Sequence, residues 1–476
     1  MKNKLYNAIY QSVMGKLGLY IIQFLVLAIY ARLFSPEDFG VIATYYIFMM
    51  FFQLIGDVGI GPAIINHKNF CSQRRDGVFS ITLLLGICTA TIFFYFSFFI
   101  GYYYDFEPSK TNESVIIVIS LSLFFNTCTT IPITAFNKDA KFVLLSMLII
   151  IAEVISFLVV FLLYKYKFGV VALASRYLAF SVCKFCLLWL FSNKTTVGRP
   201  VLGTKISYFL EILSFSLYQL GFNAINFFSR NIDNLLIAKF FGMHALGIYD
   251  KSYQLMRYPL LLTTFAMTPA IQPILTKYRD NKSYIIKEHN SLAKKLFYIS
   301  TLCSVFLFVN SKSIVFTLFG SDWLEVSQYI KVFSFIIPVQ AVLSTSGAFF
   351  QVVNKPKLLF LSGVLSAIIN VSFIVLGVML GDAIYVAKML VISFTINFFI
   401  TYVLLFKYGF LESSFDFYKG LGEVVVNILP IILMYCVLSY FLNIIISGEI
   451  VLLFSNLFIS LLSLICFKRS VVKCLI

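Results

Sequence analysis

The sequence predicts an all-α polytopic membrane protein with about fourteen transmembrane helices, from its hydropathy, its long apolar runs and the placement of its basic residues. Of the 476 residues, 60% are hydrophobic and 12% are charged, and the mean hydropathy is +0.92. A soluble domain has about 45–50% apolar and 25% charged residues. Because so much apolar surface cannot be hidden in one water-soluble core, the chain requires lipid around it.

A membrane-spanning helix needs about 20 predominantly apolar residues. Runs of about that length predict spans at 13–33, 39–65, 78–101, 114–136, 142–164, 168–191, 210–238, 244–275, 293–311, 326–351, 358–380, 382–406, 424–446 and 449–467. The first run resembles a signal peptide, but it continues past Leu33 without a convincing cleavage site, so we expect an uncleaved span. The loops between these runs are short, which leaves no room for an appended soluble enzyme domain.

The basic residues orient this arrangement. With the amino end in the cytoplasm, the predicted cytoplasmic segments contain 23 Lys and Arg residues, and the external ones contain only Lys110, Lys165, Lys167, Lys239 and Lys312. The positive-inside rule therefore predicts that both termini are cytoplasmic. It also accounts for most of the net charge of +16 without a nucleic-acid partner, since no single basic face is evident.

The sequence predicts neither a cofactor nor a metal centre. The three histidines, His67, His244 and His289, lack the spacing of metal ligands. Cys183 and Cys186 lie inside an apolar helix, where packing explains them better than redox chemistry. Glycine-rich phosphate loops and nucleophile elbows are absent from the sequence, so we expect that the protein is not an enzyme.

Two segments of the chain form an internal repeat. Residues 31–40 (ARLFSPEDFG) and 238–247 (AKFFGMHALG) align without gaps, with Ala, Phe and Gly at the same offsets and Arg32 opposite Lys239. Each segment ends one span and begins the next on the external side, six spans apart. The pattern is typical of transporters built from two parallel bundles. Ser35, Pro36 and Asp38 also predict a helix start with a capping box.

Polar residues at membrane depth are costly, and here they recur along single helix faces. Our candidate substrate-binding residues are a stripe in the seventh span, a second stripe in the eighth and two cations in the sixth: Gln219, Asn223, Asn226, Arg230 and Asp233; Asp250, Gln254 and Arg257; Arg176 and Lys184. At about 100° per residue the first stripe falls within roughly 80° of one face. Such a face predicts contact with protein or water.

Cations outnumber anions among these membrane-depth residues by about two to one. The cations are Lys16, Arg176, Lys184, Arg230, Lys251, Arg257, Lys331 and Lys388, and the anions are Asp57, Glu153, Asp233 and Asp250. The excess favours an anionic substrate, and the planar fork of arginine suits a diphosphate. The alternative is structural: Arg230 could pair with Asp233, the lysines could reach toward the interface, and the amides could join helices or bind sugar hydroxyls.

A family resemblance adds to this interpretation. Residues 31–40, 57–61 (DVGIG), 231–239 (NIDNLLIAK) and 245–249 (ALGIY), together with Gly242, Tyr253, Tyr258, Pro259, Pro269 and Pro273, resemble the oligosaccharide flippase and polysaccharide exporter group. That group includes the colanic acid and teichuronic acid exporters of the multidrug/oligosaccharidyl-lipid/polysaccharide superfamily. No single cavity cation is transferred by these motifs.

The resemblance implies two six-helix bundles, at 1–200 and 201–410, related by a parallel repeat around a central cavity, with two additional helices at 411–476. It implies alternating access in the bacterial inner membrane. The cargo would be undecaprenyl-diphosphate-linked oligosaccharide repeat units for O-antigen, capsule or exopolysaccharide. The implied partners are this polyprenyl diphosphate, membrane lipids, a polysaccharide polymerase and assembly proteins.

Three alternatives remain open from the sequence. A cation-coupled multidrug antiporter of the same superfamily would need acidic residues in the amino-terminal bundle, yet the first span has no Asp or Glu in its apolar interior. A peptidoglycan lipid II flippase would also have fourteen spans. A membrane polysaccharide polymerase would be expected to carry its catalytic groups on a sizeable external loop.

Overall fold

A computed structural model describes the chain from Lys2 to Cys466 apart from residues 58–59, 62–63, 65–71, 107–109, 140, 205–206, 262–270 and 272–274. The side chains of residues 2–16, 110, 207–208, 210–223, 225–226 and 277 are also outside the described set. Within it the secondary structure is entirely helical, which confirms the all-α membrane fold class. The chain divides into two compact units, Met1–Gly247 and Ile248–Ile476. The domain limits expected from the sequence stay a prediction.

The helices from the first unit to the unit boundary are α1 (Lys2–Leu33), α2 (Pro36–Asp57), α3 (Ser72–Tyr103), α4 (Lys110–Cys128), α5 (Thr130–Lys138), α6 (Phe142–Lys165), α7 (Val170–Phe191) and α8 (Ser207–Leu260). The predicted cap of α2 is present, since the backbone N–H of Asp38 donates to Ser35 Oγ and that of Ser35 donates to Asp38 Oδ2. Helix α8 crosses the unit boundary and is broken at Gly242, whose φ of 84° is left-handed. Such a φ suits glycine.

The second unit contains α9 (Lys282–Val309), α10 (Ser311–Phe319), α11 (Val326–Ser334), α12 (Ile337–Leu343), α13 (Ser346–Val352), α14 (Pro356–Met379), α15 (Ala383–Leu404), α16 (Phe415–Ile445) and α17 (Glu449–Cys466), with a π-helical turn at Leu405–Phe410. Pro338 cannot donate a backbone hydrogen bond to Ser334, and a bend of 54° separates α11 from α12–α13. The carbonyl of Ser334 instead accepts from the hydroxyl of Ser304.

Ten described helices are long and apolar enough to span a membrane, or eleven when the bent α11–α13 segment counts as one. They correspond to ten of the predicted spans, and the bent segment to an eleventh. The other three predicted spans overlap a shorter apolar helix at Leu17–Leu33 and the two halves of α8. The count of fourteen and the repeat therefore stay predictions.

Each unit has its own buried core and a largely apolar outer surface. Tyr30, Tyr45 and Phe93 are fully buried in the first unit. In the second, His289 lies in an aromatic cage, with its ring 4.6 Å from that of Phe349. By contrast Tyr102 in the first unit and Met379 and Ile445 in the second are each more than two-thirds exposed. Exposed apolar side chains along helices of spanning length are what a lipid-facing surface requires, so the protein is a multi-pass membrane protein.

Candidate substrate-binding site

The stripe predicted on the first half of α8 is only partly described. The side chains of Gln219, Asn223 and Asn226 lie outside the described residues. Asp233 is buried, with 6% of its surface exposed, whereas Arg230 is exposed. In the described part of the chain no ion pair joins Arg230 to Asp233, so the structural alternative for Arg230 lacks its expected contact.

The stripe on the second half of α8 holds one ion pair and one exposed cation. Lys251 Nζ lies 2.7 Å from Asp250 Oδ2 and 3.4 Å from Gln254 Oε1, and the lysine is itself buried. The charge of Asp250 is thus offset by its neighbour. Arg257, one turn beyond Gln254, is exposed and has no counter-ion among the described residues. The net charge of this face is therefore that of Arg257.

The cation in the first half of α7 is neutralised. Arg176 Nη2 lies 2.6 Å from Glu153 Oε1 on α6, and Glu153 is buried. The guanidinium also lies over the ring of Tyr30, 5.4 Å from its centroid. A buried carboxylate needs such a partner, because an isolated charge at low dielectric is strongly unfavourable. Arg176 thus stabilises the contact between α6 and α7, and a role in binding cargo would require it to leave this pair.

Lys184, deeper on α7, takes part in a second polar cluster. Its ammonium donates to Asn126 Oδ1 at 3.0 Å and lies 5.3 Å from the ring centroid of Phe180. The carboxylate of Asp57, at the end of α2, accepts from the hydroxyl of Thr130 at 2.6 Å. Within the described residues Asp57 and Lys184 each bind a neutral partner and form no ion pair with one another. The cluster brings α2, α4, α5 and α7 together.

Two further cations of the second unit resemble Arg257. Lys331 on α11 and Lys388 on α15 are exposed and lack an ion-pair partner in the described part of the chain, although Lys388 Nζ lies 4.7 Å from the ring centroid of Tyr385. Helices α11 and α15 pack against one another. The lysines each lie five residues after the start of their helix, which places them about 7.5 Å along it.

A family model described as polysaccharide biosynthesis protein matches residues 29–328. The chain belongs to that family. It is 24% identical over 352 residues to the teichuronic acid biosynthesis protein TuaB of Bacillus subtilis strain 168, covering 72% of this chain and 71% of that protein. It is 22% identical over 440 residues to the lipopolysaccharide biosynthesis protein WzxC of Escherichia coli K12, covering 91% and 86%. The family resemblance drawn from the motifs is thereby confirmed.

Solved structures agree on the fold of this family member. The lipid II flippase MurJ in an inward closed conformation superposes with a TM-score of 0.73 at 15% identity, covering 96% of this chain and 97% of that one. An inward-facing multidrug resistance transporter of the MATE family gives a TM-score of 0.61 at 15% identity, covering 84% and 94%. At these identities the likeness shows a shared transporter fold, not a shared substrate.

In this polysaccharide biosynthesis protein the sequence indicates the charged candidate residues of the substrate-binding site, but not the residues that they pair with. Arg230 and Arg257 are exposed, whereas Arg176 and Lys184 are bound within the first unit. Arg230 and Arg257 belong to different units, so their joint action on one ligand stays a prediction. The Glu153–Arg176 pair had a signal in the sequence: an acid and a base at membrane depth in consecutive predicted spans. Thr130 and Asn126 had none, because hydroxyl and amide groups are common in membrane helices.

Proposed function

We propose that this protein is a flippase that moves polyprenyl-diphosphate-linked oligosaccharide repeat units across the bacterial inner membrane for surface polysaccharide assembly. The observation that carries the proposal is a set of exposed cations without a counter-ion among the residues that the structure describes. They lie on the two halves of α8, on α11 and on α15: Arg230, Arg257, Lys331 and Lys388. Membership of a polysaccharide biosynthesis family and a flippase-like fold support it. Its partners are the lipid-linked oligosaccharide, membrane lipids and, after transfer, a polysaccharide polymerase and assembly proteins.

The chemistry of these groups fits a diphosphate. An ammonium or guanidinium without a counter-ion in the protein attracts an anion most strongly where water is scarce. Arginine can donate two parallel hydrogen bonds to phosphate oxygens, which are stronger than bonds between neutral groups. The remaining polar candidates, Gln219, Asn223, Asn226, Asp233, Asp250 and Gln254, supply donors and acceptors suited to sugar hydroxyls.

Two candidate acids already have cationic partners, which disfavours a cation-coupled drug antiporter. Glu153 is bound by Arg176, and Asp250 by Lys251. To bind either carboxylate, a cationic drug would have to displace the Arg176 or Lys251 side chain from its ion pair. Asp57 is hydrogen-bonded to Thr130 and has Lys184 in the same cluster. The rival function therefore lacks an available carboxylate at Glu153 and Asp250.

A deletion strain tests the cargo. We expect loss or shortening of a surface polysaccharide, with lipid-linked repeat units accumulating on the inner leaflet, and recovery when the intact gene is returned. Intact surface glycan with raised drug sensitivity would instead identify an antiporter. Lysis with accumulated lipid II would identify a peptidoglycan precursor flippase.

Cysteine labelling tests the membrane orientation. We propose that residues 276–292 face the cytoplasm and 102–114 the outside, because Lys and Arg divide 23 to 5 between the two sides. An impermeant thiol reagent should therefore label a cysteine in 102–114 on intact cells, and one in 276–292 only after the membrane is permeabilised. Labelling of both on intact cells would contradict this orientation.

A further inference from the structure

The two segments of the internal repeat lie against one another in the first unit, through two reciprocal glycine contacts. A Cβ atom built on Gly40 would lie 2.6 Å from the carbonyl carbon of Met243 and would overlap its oxygen. A Cβ built on Gly247 would lie 2.7 Å from the carbonyl carbon of Pro36 and would overlap that oxygen. Both collisions are with backbone, so a side-chain rotation cannot relieve them.

The four residues are related by one offset. Gly40 and Gly247 are 207 positions apart, as are Pro36 and Met243. Residue 40 of the first copy therefore contacts the counterpart of residue 36 in the second, and residue 36 contacts the counterpart of residue 40. Such self-complementary exchange is the signature of a two-fold contact. The same offset relates Ser35, which caps α2, to Gly242, which breaks α8.

Weak interactions flank this crossing. Thr44 Oγ1 lies 3.3 Å from the sulfur of Met243, and the hydroxyl of Tyr104 donates to the Leu235 carbonyl at 3.4 Å. Lys239 pairs with Asp105 at 3.2 Å, but the Asp105 side chain is 84% exposed. Thioether acceptors, long hydrogen bonds and exposed ion pairs contribute little. Lys239 also donates to the carbonyl of Tyr103. At the crossing itself the two backbones meet closely enough to exclude water.

We propose that the crossing of Gly40 and Gly247 is the closure that shuts the external side of the transport path, and that it must part in each transport cycle. It rests on the proposed flippase function, in that a cargo must pass, and on the proposed membrane orientation. The glycines give a tight seal from backbone packing alone. In both copies of the repeat a helical segment begins at the crossing, after Ser35 in the first and after Gly242 in the second. Opening therefore requires only that the starts of these two segments move apart.

Cross-linking tests whether the crossing parts. In a background without the nine native cysteines, Thr44→Cys with Met243→Cys should abolish export of lipid-linked oligosaccharide when bridged, and reductant should restore it. The matched control is Ser122→Cys with Met49→Cys, which replaces a hydroxyl–methionine contact of 3.2 Å between α2 and α4. Bridging the control should leave export unchanged, with closure of each bridge verified by intact mass. Export that continues through a bridged 44–243 pair would overturn the proposal.

A second arm needs no cargo, so it separates failure of this inference from failure of the proposed function. Arg230→Cys reports water access to α8 from outside. We expect Gly40→Ala and Gly247→Ala each to raise external labelling by about tenfold, because an added methyl group destabilises the closed contact. Gly363→Ala and Gly422→Ala are controls, since their Cβ atoms would meet nothing within 4 Å. Unchanged labelling per molecule of folded protein in both test variants would overturn the closure.

Discussion

The cations of α7 and those of α8, α11 and α15 have the same chemistry but different surroundings. Arg176 is held by a buried glutamate and Lys184 by an asparagine. Arg257, Lys331 and Lys388 are exposed and have no counter-ion among the described residues. The first group therefore contributes to the structure of the first unit. The second group retains charge that a ligand could neutralise.

An excess of cations at membrane depth therefore indicates an anionic ligand only after the cations that pair within the protein are left out of the count. Lys251 illustrates the point, because its neighbour Asp250 already offsets its charge. A buried ion pair stabilises little in net terms, but breaking it leaves an unpaired charge at a large cost. Removing a cation from the first group should therefore affect folding, and removing one from the second should affect binding.

The largest expected effect is on the buried pair. Glu153→Ala should lower the free energy of unfolding by about 3–5 kcal/mol, because it leaves the Arg176 guanidinium without its carboxylate. Thermal unfolding in detergent and abundance in the membrane both measure this. Lys312→Ala is the control, since Lys312 pairs with Glu449 but its side chain is 65% exposed. That change should cost less than about 1 kcal/mol.

A paired variant sharpens the test. Glu153→Leu with Arg176→Met replaces both charges by apolar groups of similar size, and we expect most of the lost stability to return. Export per molecule should then be close to that of the parent. A large export defect in a stable double variant would show that Arg176 binds cargo and that the contrast between the two groups is wrong.

The sequence predicts the helices well and the pairing poorly, for a physical reason. Apolar runs and the capping residues Ser35 and Asp38 act within one segment, so their consequences can be read locally. The partner of Arg176 depends on how α6 and α7 pack, and that of Lys184 on how α4 and α7 pack. Such contacts join residues distant in sequence, and periodicity along one helix does not specify them.

The next largest expected effect is the loss of export when Arg257 is substituted. Arg257→Ala should lower export per molecule by about tenfold, because a hydrogen bond to a charged group is worth roughly 1.5–3 kcal/mol. Thermal stability should be unchanged, since the side chain is exposed. Arg257→Lys keeps the charge but loses the fork, so it should lie between the parent and the alanine variant. Normal export in Arg257→Ala, normalised to membrane abundance, would remove this residue from the cargo site.

Arg230 provides an intermediate case. Because no ion pair with Asp233 is present in the described structure, Arg230→Ala should leave abundance unchanged and reduce export by up to about tenfold. Quantitative immunoblotting and an export assay separate the two quantities. Lower abundance that is restored by adding Asp233→Ala would instead assign Arg230 to a structural pair.

The smallest expected effect lies outside the spans, at Asp139 between α5 and α6. Burial raises the pKa of this carboxyl, but hydrogen bonds from the hydroxyl and backbone N–H of Thr196 and the nearby charge of Lys141 outweigh burial, so its pKa is lowered overall. A lowered pKa means that its stabilising contribution is complete above the ordinary carboxyl pKa and is lost as pH falls through the lower, folded value.

Asp139→Asn should therefore cost about 1 kcal/mol near neutral pH, because the amide keeps one acceptor but loses the charge. The difference from the parent should shrink as pH falls below the ordinary carboxyl pKa, where the parent's carboxyl also becomes neutral. Unfolding midpoints in detergent across this pH range measure both effects. Asp38→Asn, at an exposed helix start, controls for a general response to acid. A difference that grows on acidification would show that Asp139 does not stabilise this loop as a carboxylate.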